Sequence, residues 1–542
     1  MAFEHKNYGY TNLVDLILSN PYNMPDEKPM YIDSMTDETI TFGQFKALVK
    51  RTTAGLLRKG IKKGDCISLF TPNHINVPSF VLSTHAIGAH ISPSNPILSA
   101  QDYEKQLRLS KAKYILAHPV SLDVALEAAK AVGIPANNIW SIVRDDHQRA
   151  AHWKDILDDG KEEANPIKLT PEESEKTLTY ICFSSGTTGP PKGVQISHLN
   201  FIANTIELDK AFKRSATSKN RGALLAIVPF FHIMGIFRFI HMAIFDARTT
   251  VVVSKYDVEH MCHMIQKHKV TSLYVVPPML LHMLNNPAIT DKYDFSSIEA
   301  AHVGAAPVSL SLAQNFTNKF KVPVLGGYGM TETASIISIQ LPEEYVPNSV
   351  GRMIGGIRSK VIDSDGKALP EGSTGEICLK GPIVMVGYID NPEATAETID
   401  QEGYLHTGDI GYCDKSGNWF IVDRSKELIK YNAFQIAPAE LEDVLLKCPL
   451  VADAAVIGIY DEKNMTEVPR AYITLNEADK TKDLTAIKKD IHAFVDERVI
   501  YYKKLRGGID FIDLIPKNVS GKILRKELRE LYKKQQASKA KL

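Results

Sequence analysis

The stretch that most narrows the possible folds is SSGTTGPPKGV at residues 184–194. It gathers three glycines, four hydroxyl residues, two prolines and one lysine, a mixture of no use to a packed core. The apolar run 177–183 precedes it and reads as a buried strand. A strand that empties into such a loop can aim consecutive backbone N–H groups at an anion, because glycine reaches conformations closed to other residues. Gly186 and Gly189 supply that freedom, and Ser184, Ser185, Thr187 and Thr188 add hydroxyl donors. Lys192 adds positive charge, and Pro190 and Pro191 stiffen the exit. The P-loop pattern GxxxxGK[ST] is not met, since a glycine follows Lys192. A surface loop without a ligand is the alternative, but a buried strand and dense hydroxyls argue against it.

Around this loop the chain alternates helical and strand-like runs. Residues 41–58 read as a helix stopped by Gly60, 66–70 and 114–117 as strands, and 122–132 as a helix. Residues 158–175 are polar and read as a surface connection. Further strands are expected at 224–228, 250–253, 272–276 and 322–325. This alternation implies parallel sheets covered by helices. From residue 350 short β-like runs alternate with Gly and Asp turns, at 360–362, 375–379 and 417–422, as in a small antiparallel barrel or sheet. After Asp423 a second αβ unit follows, with helices at 438–447 and 484–499 and strands near 454–459 and 470–475. The expected fold is therefore α/β. A large N-terminal domain, residues 1–423, has two αβ-layered subdomains and a small β-barrel; a small mobile α+β domain spans 424–542.

The balance of 63 basic against 63 acidic residues argues against sequence-blind binding to nucleic acid or anionic lipid. The six cysteines form no CxxC pair, which disfavours a zinc or redox motif and suggests reduced core thiols. The start MAFEHKNYGY lacks the apolar stretch of a signal peptide. The longest apolar run, 223–237, is interrupted by His232 and falls short of the ~20 residues a membrane span needs. The final Ala540-Lys541-Leu542 is similar to the address read by the peroxisomal import receptor, with a frayed helix end as the alternative. Peroxisomal location is expected on that basis, and cytoplasmic location otherwise.

Three further stretches accompany the loop: GGYGMTETAS at 326–335, GYLHTGDIG at 403–411, and the pair DRSKELIKYNAFQIAPAELE at 423–442 with PKNVSGKILRK at 516–526. Together, over residues 30–530, they resemble the adenylate-forming superfamily of acyl- and aryl-CoA ligases, beetle luciferases and peptide-synthetase adenylation domains. The wording KELIK…FQIAPAELE and SGKILRKEL is most similar to the 4-coumarate–CoA ligase and fungal aryl-acid ligase branch.

The resemblance implies an ATP-dependent acid–CoA ligase. A carboxylate displaces pyrophosphate from ATP, and the thiol of CoA then displaces AMP. The loop Ser184–Lys192 is implied to cradle the β- and γ-phosphates, Thr331 to contact the α-phosphate and Glu332 to hold Mg²⁺. Gly304, Ala305, Ala306 and Pro307, with Tyr328, are implied to sandwich adenine. Asp409 is implied to accept the ribose hydroxyls, with Arg424 beside it. Lys522 is implied to bridge carboxylate, ribose and α-phosphate in the first half, and Lys430 to serve the thioester half. One small domain cannot turn both lysines to a single phosphorus at once, so the resemblance implies rotation about a hinge at Lys426. One departure concerns the CoA half: Asn432-Ala433 replaces the usual Lys-Gly before Phe434-Gln435, and Ala433 adds a methyl group near the pantetheine path.

The run FFHIMG at 230–235 resembles the wall of an acid pocket, with His232 gating the carboxylate and Ile233 and Met234 beside it. Gly329, Ser335 and Ile336 are expected opposite. Arg238 stands alone in a Phe, Ile and Met stretch. It could bind a second carboxylate or other polar end of the substrate, or it could pair with Asp246 or snorkel to the surface. Two other functions compete: a luciferase-like oxygenase, and a nucleotide- or acyl-binding protein without catalysis. A carrier-protein acceptor is disfavoured, since no carrier domain is fused.

Overall fold

The computed structural model describes residues 8–158, 162–184, 191–215, 221–306, 308–432, 434–462, 464–518 and 521–539. Residues Ser185 to Pro190, Pro307, Ala433, Ser520 and the terminal Ala-Lys-Leu therefore lie outside the described residues.

Two large sheets dominate the first 350 residues. One has eight strands, in the order Gly387–Tyr388, Lys192–Ser197, Leu178–Ser184, His90–Pro93, Cys66–Phe70, Ala112–Ala117, Ile139–Ser141 and Ala151–His152. From Leu178–Ser184 onward its neighbours run parallel. The other sheet has nine strands, and Pro29–Asp33, Thr250–Val252, Ala223–Ala226, Val270–Val275, Ala300–Val303 and Val324–Met330 form its parallel centre. Buried parallel strands call for continuous apolar runs, which CISLF and VTSLYV supply.

Helices fill the space between. Every residue of Val77–Ala86 is buried, the mark of a helix covered on all sides. Helix His198–Lys213 touches strands of both sheets. Helix Phe42–Arg58 opens on a Thr41/Gln44 capping box and gives way to Gly60 in a left-handed turn, as the sequence suggests. The polar connection after residue 158 holds a short helix that composition alone does not reveal. Pro171–Lys176 is started by Thr170 and Glu173, which cap each other's backbone.

The small β element is a four-stranded antiparallel sheet of Arg358–Ile362, Gly375–Lys380, Leu405–Cys413 and Trp419–Arg424. A Gly351–Trp419 bridge ties it to the larger sheets. From Ile429 onward the chain packs into a core of its own, built on Val451–Asp461, Thr466–Leu475 and Ile509–Phe511 with helices Pro438–Leu446 and Leu484–Asp496. Five of the six cysteines are buried and all are free. Among the described residues no helix is long and apolar enough to cross a membrane.

Candidate active site

The C-terminal ends of the parallel strands of the nine-stranded sheet open onto one cavity of about 590 Å³, the place where open α/β sheets bind ligands. Val303 and Gly304 end one strand there, and Gly327 to Met330 end the next. The strand before the glycine–hydroxyl loop ends at Ser184, which pairs directly with Lys192 at the start of the returning strand. The loop thus closes a hairpin whose two ends, Ser184 and Lys192, both line the cavity. The Lys192 ammonium lies 4.8 Å from the centre of the Tyr388 ring. The Tyr388 hydroxyl in turn donates to Glu332 at 3.0 Å. Glu332 is buried, and with Thr331 it lines the same cavity.

Backbone strain is concentrated here. Ala305, Ala334 and Ser335 take φ values of 68°, 51° and 107°. Non-glycine residues in such regions cost about 1–3 kcal/mol each and persist only where their surroundings hold them. One buried side chain does much of the holding: Asn204 Nδ2 donates to the carbonyls of Thr333, Ala334 and Ile336 at 3.1, 3.3 and 3.0 Å. Gly329 lies so close to the following strand that a Cβ would stand 1.8 Å from the Ser335 oxygen.

Asp409 lies just behind the cavity wall rather than on it. Its carboxylate accepts the Tyr328 hydroxyl at 2.6 Å and faces Arg424 Nε at 3.1 Å. Each oxygen keeps further acceptor capacity. Burial, reinforced by the Asp409 charge, holds the Tyr328 phenol well above its ordinary pKa.

The apolar part of the cavity is lined by His232, Ile233, Met234, Ser335 and Ile336. His232 is pushed down to about 4 by burial, so it is neutral at pH 7, and its Nε2 has no partner. Arg238 lines the cavity and pairs with Asp246 at 2.6 Å, which is the pairing the sequence allowed. Tyr274 and His302 complete that end, and neither carries a local motif that sequence reading could have found.

The C-terminal region closes the cavity with Lys522, Asn518, Lys426 and Arg424. Lys522 is presented by a tight turn in which the Gly521 and Lys522 N–H groups donate to the Asn518 carbonyl and side chain. Gly521 has φ 78°, and a Cβ on it would fall 2.6 Å from Pro278, so the turn needs glycine twice over. Burial and the nearby Arg424 cation lower the Lys522 ammonium to about 8, against the pull of Asp409 and Glu427. Lys430 and Gln435 face each other on the exposed ribbon Ile429–Tyr431/Phe434–Ile436, away from the cavity. Next to the ribbon's first strand Asn432 takes a left-handed conformation, which asparagine tolerates. Ala306 does not reach the cavity, and Ser185 to Gly189, Pro307 and Ala433 lie outside the described residues.

No cluster of three metal-ligating side chains exists among the described residues. Among the described residues that line the cavity, Glu332 is the one buried carboxylate, and Thr331 and Lys192 line the cavity with it. That donor set fits Mg²⁺, which keeps most of its waters and takes its other ligands from phosphate.

Comparisons with known proteins agree with this geometry. Residues 19–389 match the model of the AMP-binding enzyme family, and 440–522 match the AMP-binding enzyme C-terminal domain. The chain is 35% identical over 519 residues to a phenylacetyl-CoA ligase (epaB) of Aspergillus niger, covering 93% of this chain and 94% of the relative. It is 35% identical over 511 residues to 4-coumarate–CoA ligase 1 of Petroselinum crispum, covering 93% and 91%. The fold matches ATP-bound MatB from Rhodopseudomonas palustris with a TM-score of 0.85 at 24% identity, over 96% of this chain and 99% of that one. An anthranilate CoA ligase, AuaEII, solved with anthranoyl-AMP, gives a TM-score of 0.86 at 22% identity, over 97% and 98%. The chain belongs to the AMP-binding enzyme family and carries both of its domains.

Proposed function

We propose that the chain is an AMP-forming acid–CoA ligase acting on an aryl, phenylpropanoid-like or medium-chain acid, with residues 1–423 and 424–542 as its working units. The observation that carries this reading is that Lys522, Lys192, Thr331 and Glu332 face one cavity. In the first half a carboxylate oxygen bonds to the α-phosphorus of ATP, and the bond to pyrophosphate breaks. Two anions must meet, so fixed cations and donors are the main catalytic resource. Lys522 would hold the incoming carboxylate against the α-phosphate, with Thr331 as a further donor. Ser184, Lys192 and the loop between them would hold the β- and γ-phosphates. Tyr328, Gly304 and Ala305 would hold adenine, and Asp409 with Arg424 the ribose. Bound with the triphosphate and held by Glu332, Mg²⁺ would neutralise part of its charge. Neutral His232 would orient the carboxylate without adding charge.

In the second half the CoA sulfur bonds to the acyl carbon, and AMP leaves. Lys430 and Gln435 would then occupy the place of Lys522, after the C-terminal unit turns about Lys426. The exposed position of both residues on one ribbon, outside the cavity, supports that reading. The terminal Ala-Lys-Leu would direct peroxisomal import, which a reporter fused to this tail tests. The ligase reading is tested by pyrophosphate release over a panel of acids, with and without CoA. Acid-dependent release stimulated by CoA is expected. Release indifferent to CoA would overturn the thioester half, and no release with any acid would overturn the whole.

A further inference from the structure

One end of the cavity holds a buried guanidinium. Arg238 lies on a π-helical stretch, Ile236–Met242, and is 3% exposed. Such turns are rare and recur at functional sites. Its Nη1 is committed to Asp246 at 2.6 Å, and its guanidinium lies 4.6 Å from the centre of the Tyr274 ring. Its Nε and Nη2 are buried without a hydrogen-bond partner. These two nitrogens form one edge of the guanidinium, and their parallel N–H groups match the two oxygens of a carboxylate. His302 stacks on Tyr274 at 4.7 Å and 12°, and its Nδ1 is likewise unpartnered. Arg238, Tyr274 and His302 all line the cavity that holds Lys522.

Further guanidiniums lie close by. Arg248 is buried and, among the described residues, donates to the neutral oxygens of Gly222, Thr271 and Ser272. Arg221 approaches Asp246 at 3.9 Å. Asp246 is thus approached by both Arg238 and Arg221, and Glu299 acts on Arg248. A buried cation with a free bidentate edge is costly unless something meets it. A methyl or phenyl end would leave it unmet.

We propose that the acid taken by this cavity carries a second carboxylate, or an equivalent oxyanion, at the end remote from the reacting group, received by the Nε–Nη2 edge of Arg238 beside His302. This rests on the acid–ligase reading above and names the substrate class within it. Full-length protein with ATP and Mg²⁺ is assayed for pyrophosphate release on length-matched acids that end in methyl or in carboxylate, and on phenyl acids with and without a para carboxylate. The expected kcat/KM ratio, carboxylate-ended over its neutral counterpart, is about tenfold or more. In Arg238→Met it should fall to about one or below, and in Arg238→Lys, which keeps the charge without the fork, to an intermediate value. Should Arg238→Met fail to fold because Asp246 loses its partner, the double variant Arg238→Met/Asp246→Asn replaces it. A wild-type enzyme that prefers neutral-ended acids, or a ratio unmoved by these substitutions, overturns the inference and leaves the ligase reading standing. Absence of release with every acid overturns both.

Discussion

Two lysines of the C-terminal region stand in opposite circumstances. Lys522 is half-buried at the mouth of the nucleotide cavity, lowered to about 8, and held by a turn that fits under Pro278 only because residue 521 is glycine. Lys430 is exposed on a two-stranded ribbon and lies outside that cavity. The same small fold presents one and withholds the other. The difference teaches that a single arrangement of the molecule brings one of these two lysines to the cavity and leaves the other outside it. On the proposed reading the two lysines take turns.

The comparison can be broken first at Lys522. Removing a preorganised donor to transition-state charge costs about 10²–10³ in rate, so Lys522→Ala should lose that much acid-dependent ATP–pyrophosphate exchange while keeping its thermal midpoint. Gly521→Ala keeps the ammonium but shifts it, because the added Cβ forces the turn off Pro278. A misplacement near 1 Å is worth up to about 10²-fold, and the same exchange assay reads it. Lys426→Pro should slow thioester formation by at least about tenfold in single-turnover assays and spare the first half, since only the second requires rotation. The pH dependence sharpens the contrast further. In the free enzyme Lys522 loses its charge as pH rises through about 8, so kcat/KM for ATP in the first half should decline above that value.

The smallest effect is on stability. His85, His198 and His241 are buried, and burial pushes His198 and His241 down to about 3 from an unfolded value near 6.5. The native state resists protonating them. Their contribution is fully present above pH 6.5 and is lost as pH falls toward the folded values, so the thermal midpoint should drop steadily between pH 7 and pH 5.

Legibility followed locality. The strand that ends at Ser184 and the lysine at 192 were readable because one hairpin holds both, and Thr331 and Glu332 because one turn does. Elements of the C-terminal region came within a few residues of their ends, as with Pro438–Leu446 against an expected 438–447. Asn204, Tyr388, Tyr274 and His302 were not foreseen. Each is a common residue in an ordinary helix or strand, brought to the site only by the pairing of distant segments. The apolar run 223–237 misled in a different way. Its strand ends at Ala226, where Asn73 takes over the carbonyls of Ala226 and Val228 and the N–H of Phe230, and a π-helical stretch follows. No periodicity in that run announces the change. For Arg238 the sequence left two readings open; the structure shows the pairing with Asp246 through Nη1 and leaves Nε and Nη2 without a partner.

The most direct test of alternation is amine-selective labelling of the two lysines, read by mass spectrometry in two trapped states. With ATP and an unreactive acid analogue, Lys522 should be protected and Lys430 labelled. With an acyl-adenylate analogue and CoA the order should invert. An unchanged order of labelling in the two states would contradict the account.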